Sequence, residues 1–416
     1  MNSSNMPLQG LRIIESSLLG AAAITTSLAD LGATVIKVES PDGDYIREMT
    51  WPIIEGVSLM HYHLNRGKKS ITLDLKTEAG KELYRELVRD ADVVIEAMRP
   101  GVLAKLGLGF EDLRKVNPAI VFCTVSGYGM TGPYKDMPSH GIAYDTWSGA
   151  VTPAYDEEGF CYIPEHVSIG INAAPLFGGL AVLAGVLRAR ATGAGCMMEL
   201  GQSDAAAFFD WYRCESHLAY ARPQDVVTGN KADGYVRRPV ATAGMKEGVR
   251  YQIYASSDGH VLFMASEQAF WKNFCEGVGR GDLFEKWPGS RYADHARGNR
   301  ELQRELREIF RSRTSAQWME FSARANTPIA PVNTPQNIVD DPQFKARFDL
   351  LPHETHGADM LSFPVHFVGE QLLPPARAPV AGEHTEQVLR EVLGCDDARV
   401  AAIRGSGALG AAAARD

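Results

Sequence analysis

From residue 11 to residue 129 the chain alternates strand-like and helix-like segments, and this alternation restricts its possible folds more than any other feature. LRIIESS is strand-like, AAAITTSLADLG has helical periodicity and closes on Gly32, and ATVIKVES is a second strand-like run. The pattern returns as KSITLDL, TEAGKELYRELVRDA and DVVIEAM, and once more as FEDLRKVN followed by AIVFCTVSGYG. Successive βαβ units of this kind predict an α/β chain with an open, Rossmann-like parallel sheet and helices on both faces. Ligands of such sheets bind beyond the carboxyl ends of the strands.

At 416 residues the chain exceeds an ordinary single core, so two domains are expected. Residues 1–222 read as the first part of a large domain. It includes AAPLFGGLAVLAGVLRARA at about 173–190, which is apolar nearly all round and so predicts a buried, closely approached helix. RPQDVVTGNKADGYVRRP, from residue 222, reads as an irregular linker. VRYQIYASSDGHVLFMAS predicts a β-hairpin turning at Ser257, Asp258 and Gly259, and helical stretches follow from about 267 to 325. Residues 223–326 are therefore expected to form a smaller α+β domain, and 327–404 to return to the large one through HTEQVLREVLG. Residues 405–416 read as a flexible tail.

With 45% hydrophobic residues, 22% charged residues and a net charge of −9, the composition is that of a globular enzyme and offers nucleic acid no basic surface. The N-terminus lacks a basic region followed by an apolar run, and no unbroken run of about 18 apolar residues occurs, which argues against export and membrane insertion. Cys123, Cys161, Cys196, Cys214, Cys275 and Cys395 show no CxxC or Cys/His spacing, so neither a metal site nor a disulfide framework is expected, and the reading is cytoplasmic.

GxxxxGK[ST] is absent, and SSLLGAAA stands where GxGxxG would join the first strand to its helix, which weakens a redox-dinucleotide reading. Phosphates can instead be held by scattered cations and helix N-termini. Lys37, Arg66, Lys68, Lys69, Arg99 and Lys105 lie near strand ends or the loops after them, although loop cations ordinarily only solvate a surface. SGYGMTGPY (126–134) suits a backbone that passes close to a ligand, or an ordinary well-packed turn. His140, Glu165 and His166 are candidates for general acid–base work, set against the more frequent structural role of a lone histidine.

GLRIIESS with LADLGATVIKVESPDGD, NRGKKSITLDL, DVVIEAMRPGVLAKLGLGFEDL, SGYGMTGPY, RARATGAG and AGEHTEQVL together resemble the class III CoA-transferases of the CaiB/BaiF type. The family also includes α-methylacyl-CoA racemases. The resemblance runs from about residue 8 to 205 and again over 327–394. It implies a large domain built from both ends of the chain, a small middle domain and two interlocked subunits. It also implies a CoA thioester as substrate, with no permanently bound cofactor and no metal. Position by position it implies Leu18 and Leu19 on the pantetheine and adenine side, Lys68 as a basic CoA contact, Ala97 and Met98 beneath the nucleotide, Lys105 and Leu106 as a cation and apolar pair, and Tyr128 as the aromatic of the SGYG loop.

The same resemblance places an acyl-accepting aspartate at the start of the buried helix, in a pattern like IGDxxxGL, and His140 at the position of the racemase histidine. Here the stretch reads SIGINAAPL. Ile171 replaces the aspartate, Pro175 replaces the following glycine, and no acidic residue lies between Gly170 and Arg188. Three explanations stand. A homologous subunit supplies the aspartate, Glu165 replaces it, or His140 runs racemase-like proton chemistry; a CoA-thioester-binding subunit without activity is a further alternative. SLLGAAA, PSHGIAYD and YIPEH resemble the aspartate-lacking subunit of the succinyl-CoA:(R)-benzylsuccinate type of transferase, which favours the first.

Overall fold

A computed structural model describes residues 6–229, 231, 234–237, 245–291 and 294–410. Six parallel strands build the large sheet: β1 (Arg12–Ser16), β2 (Thr34–Glu39), β3 (Lys68–Thr72), β4 (Val93–Glu96), β5 (Val121–Ser126) and β6 (Cys196–Gly201). Their order is β6-β5-β4-β1-β2-β3. The chain thus grows outward from β1 to β3, crosses back to the other side of β1, and grows outward again, which is the Rossmann order with its switch point between β1 and β4.

Helices cover both faces. These are α1 (Ala22–Asp30), α2 (Leu59–Asn65), α3 (Glu78–Arg89), α4 (Phe110–Val116), α5 (Gly141–Trp147), α6 (Gly170–Thr192) and α7 (Gln202–Phe209). Side chains alternate across a strand, so Ile14, Ile36, Val94 and Phe122 pack with Leu83 and Leu87 of α3. Their neighbours Ile13, Val35, Val93 and Val121 pack with Ile24 and Leu28 of α1 and with Val182 and Val186 of α6. The C-terminal return closes the first face through Val388, Leu389 and Val400.

This unit comprises residues 1–212 and 348–416, and residues 213–347 form the second. Both borders differ from the sequence expectation of 222 and 326. In the second unit β7 (Tyr251–Ala255) and β8 (His260–Met264) form the hairpin, with Ser256 N–H donating to Gly259 O at 3.0 Å in its turn. β9 (Ile329–Pro331) pairs with β8, which keeps residues 327–347 in the smaller unit rather than in the return segment. α8 (Gln268–Gly277), α9 (Arg300–Arg311) and α10 (Ser315–Ala325) pack Trp271, Phe274, Leu306, Phe310 and Trp318 on this sheet. Part of the expected linker, residues 230, 232, 233, 238 and 239, lies outside the described residues.

Two further expectations change. The tail packs at least to Ala408, which is buried and accepts from Asp74 N–H at 2.8 Å, because Ala408 completes the first sheet face; residues 411–416 lie outside the described residues. α6 is long and apolar enough, by length and composition, to cross a membrane, where the sequence reading finds no such segment. Its glycines and arginines interrupt an unbroken apolar run, yet its stretch of Leu, Val, Ile and Ala keeps the mean hydropathy high, and one face of it packs on the sheet through Val182, Val186 and Ala189.

Candidate active site at the carboxyl edge of the large sheet

The loops after β1, β4 and β5 carry most of the residues expected to meet CoA. Leu18 and Leu19 follow β1, Ala97 and Met98 follow β4, and Tyr128 follows β5. These strands are neighbours, so the five residues form one row at the carboxyl edge, and the first four flank the switch point between β1 and β4. Ala97 N–H donates to Ser16 O at 3.3 Å, joining the two loops. Leu18 is 40% exposed, and Leu19 has φ of 51°, a left-handed conformation that costs a non-glycine residue energy and concentrates at functional loops. Glu96 closes β4: its Oε2 accepts Met98 N–H at 2.8 Å, and burial pushes its carboxyl above the usual range. Leu106 packs half-buried on the core, and Lys105 and Arg99 are exposed.

Lys68 is placed differently. It is buried, with Nζ 2.8 Å from Glu15 Oε2 and donating to Ala22 O at 2.9 Å, so its charge is committed inside the domain rather than offered to a phosphate. Burial lowers its pKa to about 8 against the opposing pull of Glu15. Lys37 meets the same carboxylate at 3.2 Å and Asp44 at 2.9 Å, and burial's tendency to raise Glu15 is overcome by the two ammonium groups. Arg66 is likewise buried in a pair with Asp30 at 2.7 Å. The sequence pattern VIKVE and GKKS cannot by itself show that strands β1, β2 and β3 bring these charges together under the β1 loop. Their pairing holds that loop in place.

Tyr128 lies half-buried in an aromatic cluster, edge-on to Tyr134 at 5.6 Å, Tyr144 at 5.8 Å and Trp147 at 6.4 Å. Gly127 permits this: a Cβ there would come within 2.2 Å of Ser139 Oγ and 3.0 Å of the Tyr144 ring. Ser126 Oγ and Gln202 Oε1, at the same edge, are buried with no hydrogen-bond partner among the described residues.

The start of α6 adjoins this cluster. Ile171 is half-buried and packs against Gly141, whose Cβ, if it had one, would lie 2.9 Å from Ile171 Cγ2. This places the start of α5, directly after His140, beside Ile171. His140 and Glu165 are both exposed. A carboxylate that the sequence reading passed over is nevertheless present: Asp145 of α5 is 0% exposed, and its Oδ1 accepts the amides of Ile169 at 3.1 Å and Gly170 at 2.7 Å. An anion here satisfies orphan donors and the positive end of the helix dipole. Asp145 Oδ2 has no hydrogen-bond partner among the described residues and lies 3.8 Å from His166 Nε2, while His166 Nδ1 lies 3.0 Å from Pro164 O. The only signal for Asp145 in the sequence is an acid among apolar residues in GIAYDTW, which is too common to single out.

The chain is similar to known proteins over nearly its whole length. The family model for CoA-transferase family III matches residues 8–385. The "Probable fatty acyl-CoA transferase" of Mycobacterium tuberculosis is 30% identical over 91% of this chain and 96% of its own. The human succinyl-CoA:glutarate CoA-transferase is 28% identical over 96% and 89%, and the succinyl-CoA–L-malate CoA-transferase beta subunit of Chloroflexus aurantiacus 29% identical over 95% and 96%. The crystal structure of a CaiB/BaiF family protein from Brucella suis superposes with a TM-score of 0.73 at 28% identity, covering 94% of this chain and all of that one. This chain belongs to CoA-transferase family III, whose members take CoA thioesters as substrates without a resident cofactor.

Proposed function

We propose that the chain is the non-nucleophilic subunit of a class III CoA-transferase, interlocked with a homologous subunit that supplies the acyl-accepting aspartate. The donor is a dicarboxylic acyl-CoA such as succinyl-CoA, and the acceptor an aryl-substituted dicarboxylate such as benzylsuccinate. In the reaction the partner's carboxylate attacks the thioester carbonyl, giving a mixed anhydride and CoA thiolate. The thiolate then attacks the carbonyl of the aspartyl half, releasing succinate and leaving CoA as a thioester on the partner, from which the acceptor acid takes it by the reverse sequence.

One observation carries this reading: at the start of α6 the side chain is Ile171, which cannot form an anhydride, and the helix amides that would face an anion are already closed by Asp145. Two others are consistent with it. Succinyl-CoA is the donor named for several relatives, one of which is named as a beta subunit. Leu176, Leu180 and Leu187 leave an exposed apolar face on α6, and exposed apolar surface of this kind suits a partner chain. The test is succinyl-CoA-dependent transfer by the chain alone and after addition of an aspartate-bearing homologue. Activity only in the mixture supports the proposal, and full activity of the single chain defeats it.

A further inference from the structure

α9 sorts its charges by face. Arg300, Arg304, Arg307 and Arg311 recur every three or four residues and so fall within an arc of about 60° at 100° per residue. Glu301 and Glu305 lie on the next flank and turn away to Lys286 at 2.6 Å and Arg280 at 2.9 Å. Only Glu308 remains near the stripe, against Arg307 and Arg311. Arg300 bonds the neutral Gln303 at 2.7 Å, and among the described residues neither Arg300 nor Arg304 has an ion-pair partner.

Facing this stripe is β7, the edge strand of the small sheet. Its partner β8 takes the even-numbered residues, as the Ser256–Gly259 hydrogen bond requires, so the backbone groups of Tyr251, Ile253 and Ala255 point outward. Among the described residues the Ile253 amide is met only by the side chain of its neighbour Gln252, at 3.0 Å, and Ile253 itself is half exposed. Between strand and stripe lies a groove of about 450 Å³ lined by Ile253, Ala255 and the four arginines. The four steps of β7 span about 13 Å at about 3.3 Å each, and the eleven steps of helix from Arg300 to Arg311 span about 16 Å at about 1.5 Å each, so the two run alongside over comparable lengths.

We propose that this groove docks an extended acidic segment of a partner polypeptide, which adds as a strand to the outer edge of β7 and sets its carboxylates against Arg300, Arg304, Arg307 and Arg311. Strand addition supplies main-chain hydrogen bonds, and the guanidinium row supplies charge selection. A line of cations beside a strand edge suits a strand better than a compact phosphate. A nucleic-acid strand lacks a stacking platform here, since the Tyr254 ring is stacked on Phe310 at 4.9 Å inside the core. Nothing in this inference depends on the transferase reading.

The experiment is fluorescence polarisation on the full chain with a labelled heptapeptide alternating glutamate and valine. Saturable binding is expected, weakened about tenfold or more by the double variant Arg300→Glu/Arg304→Glu and equally by N-methylating alternate amides of the peptide while the protein stays wild type. Because the peptide arm needs no protein variant, misfolding of the double variant does not blunt the test. No saturable binding, equal binding of the N-methylated peptide, or displacement by tripolyphosphate or an oligothymidylate at the peptide's own affinity would each overturn the proposal.

Discussion

Asp145 and Gly170 are joined by a 2.7 Å hydrogen bond in which the carboxylate Oδ1 accepts the first amide of α6. A side chain from one helix thus caps the start of another, at the point where the family resemblance leads one to expect an acyl-accepting aspartate. The cap holds the carboxylate one residue from Ile171 but leaves it inaccessible. Apolar contact and charge are therefore assigned to different residues at this corner.

Replacing Asp145 tests the cap. Asp145→Ala leaves the Ile169 and Gly170 amides unsatisfied and is expected to cost about 1–3 kcal/mol, whereas Asp145→Asn keeps an acceptor and costs less. Hydrogen exchange should show protection lost first at these two amides. Unchanged exchange in the alanine variant would refute the role.

Ile171→Asp restores a carboxylate beside Gly141. The variant chain alone is expected to acquire a succinyl-CoA-dependent, hydroxylamine-sensitive modification at position 171, detected by peptide mass spectrometry, while the wild-type chain alone acquires none. A wild-type label on Glu165 or Asp145 would contradict the two-subunit reading.

His61, on α2, sets a pH dependence. Burial, reinforced by Arg47, lowers its pKa from 6.5 to about 4. Nε2 faces Pro379 O at 3.1 Å and must donate, and Nδ1 accepts from Asn65 at 3.0 Å, so the folded ring is neutral. The unfolded chain binds a proton at this residue below pH 6.5 and the folded chain does not. Stability from this residue is complete above that pH and falls as the pH drops toward 4, by about 3 kcal/mol in all. His61→Gln should flatten the unfolding free energy over this window.

Lys68→Met removes one of the two ammonium groups on buried Glu15. The expected loss is about 3–5 kcal/mol, from the uncompensated charge rather than from the packing. Adding Glu15→Gln should recover part of it, and denaturant unfolding of the single and double variants measures the coupling.

How much was legible follows from the range of each interaction. The parallel sheet, the hairpin at Ser257–Gly259 and the isoleucine at position 171 are local patterns, and each could be read from a few consecutive residues, whereas α6, expected to be buried, leaves Leu176, Leu180 and Leu187 exposed because only one of its faces packs on the sheet. The C-terminal border of the small unit differs from the expectation because the pairing of β9 with β8 joins residues more than sixty positions apart in sequence. Lys68 looked like a surface cation since nothing in GKKS reveals that Glu15 lies within 2.8 Å.

The sequence by itself determined the strand–helix alternation and the family, because backbone periodicity and short motifs depend on near neighbours. Only the tertiary structure decided which charges are buried, which loops meet at the switch point, and that Asp145 closes the start of α6. Burial and electrostatic pairing depend on distances in space, and a low-dielectric interior makes those distances decisive for charge.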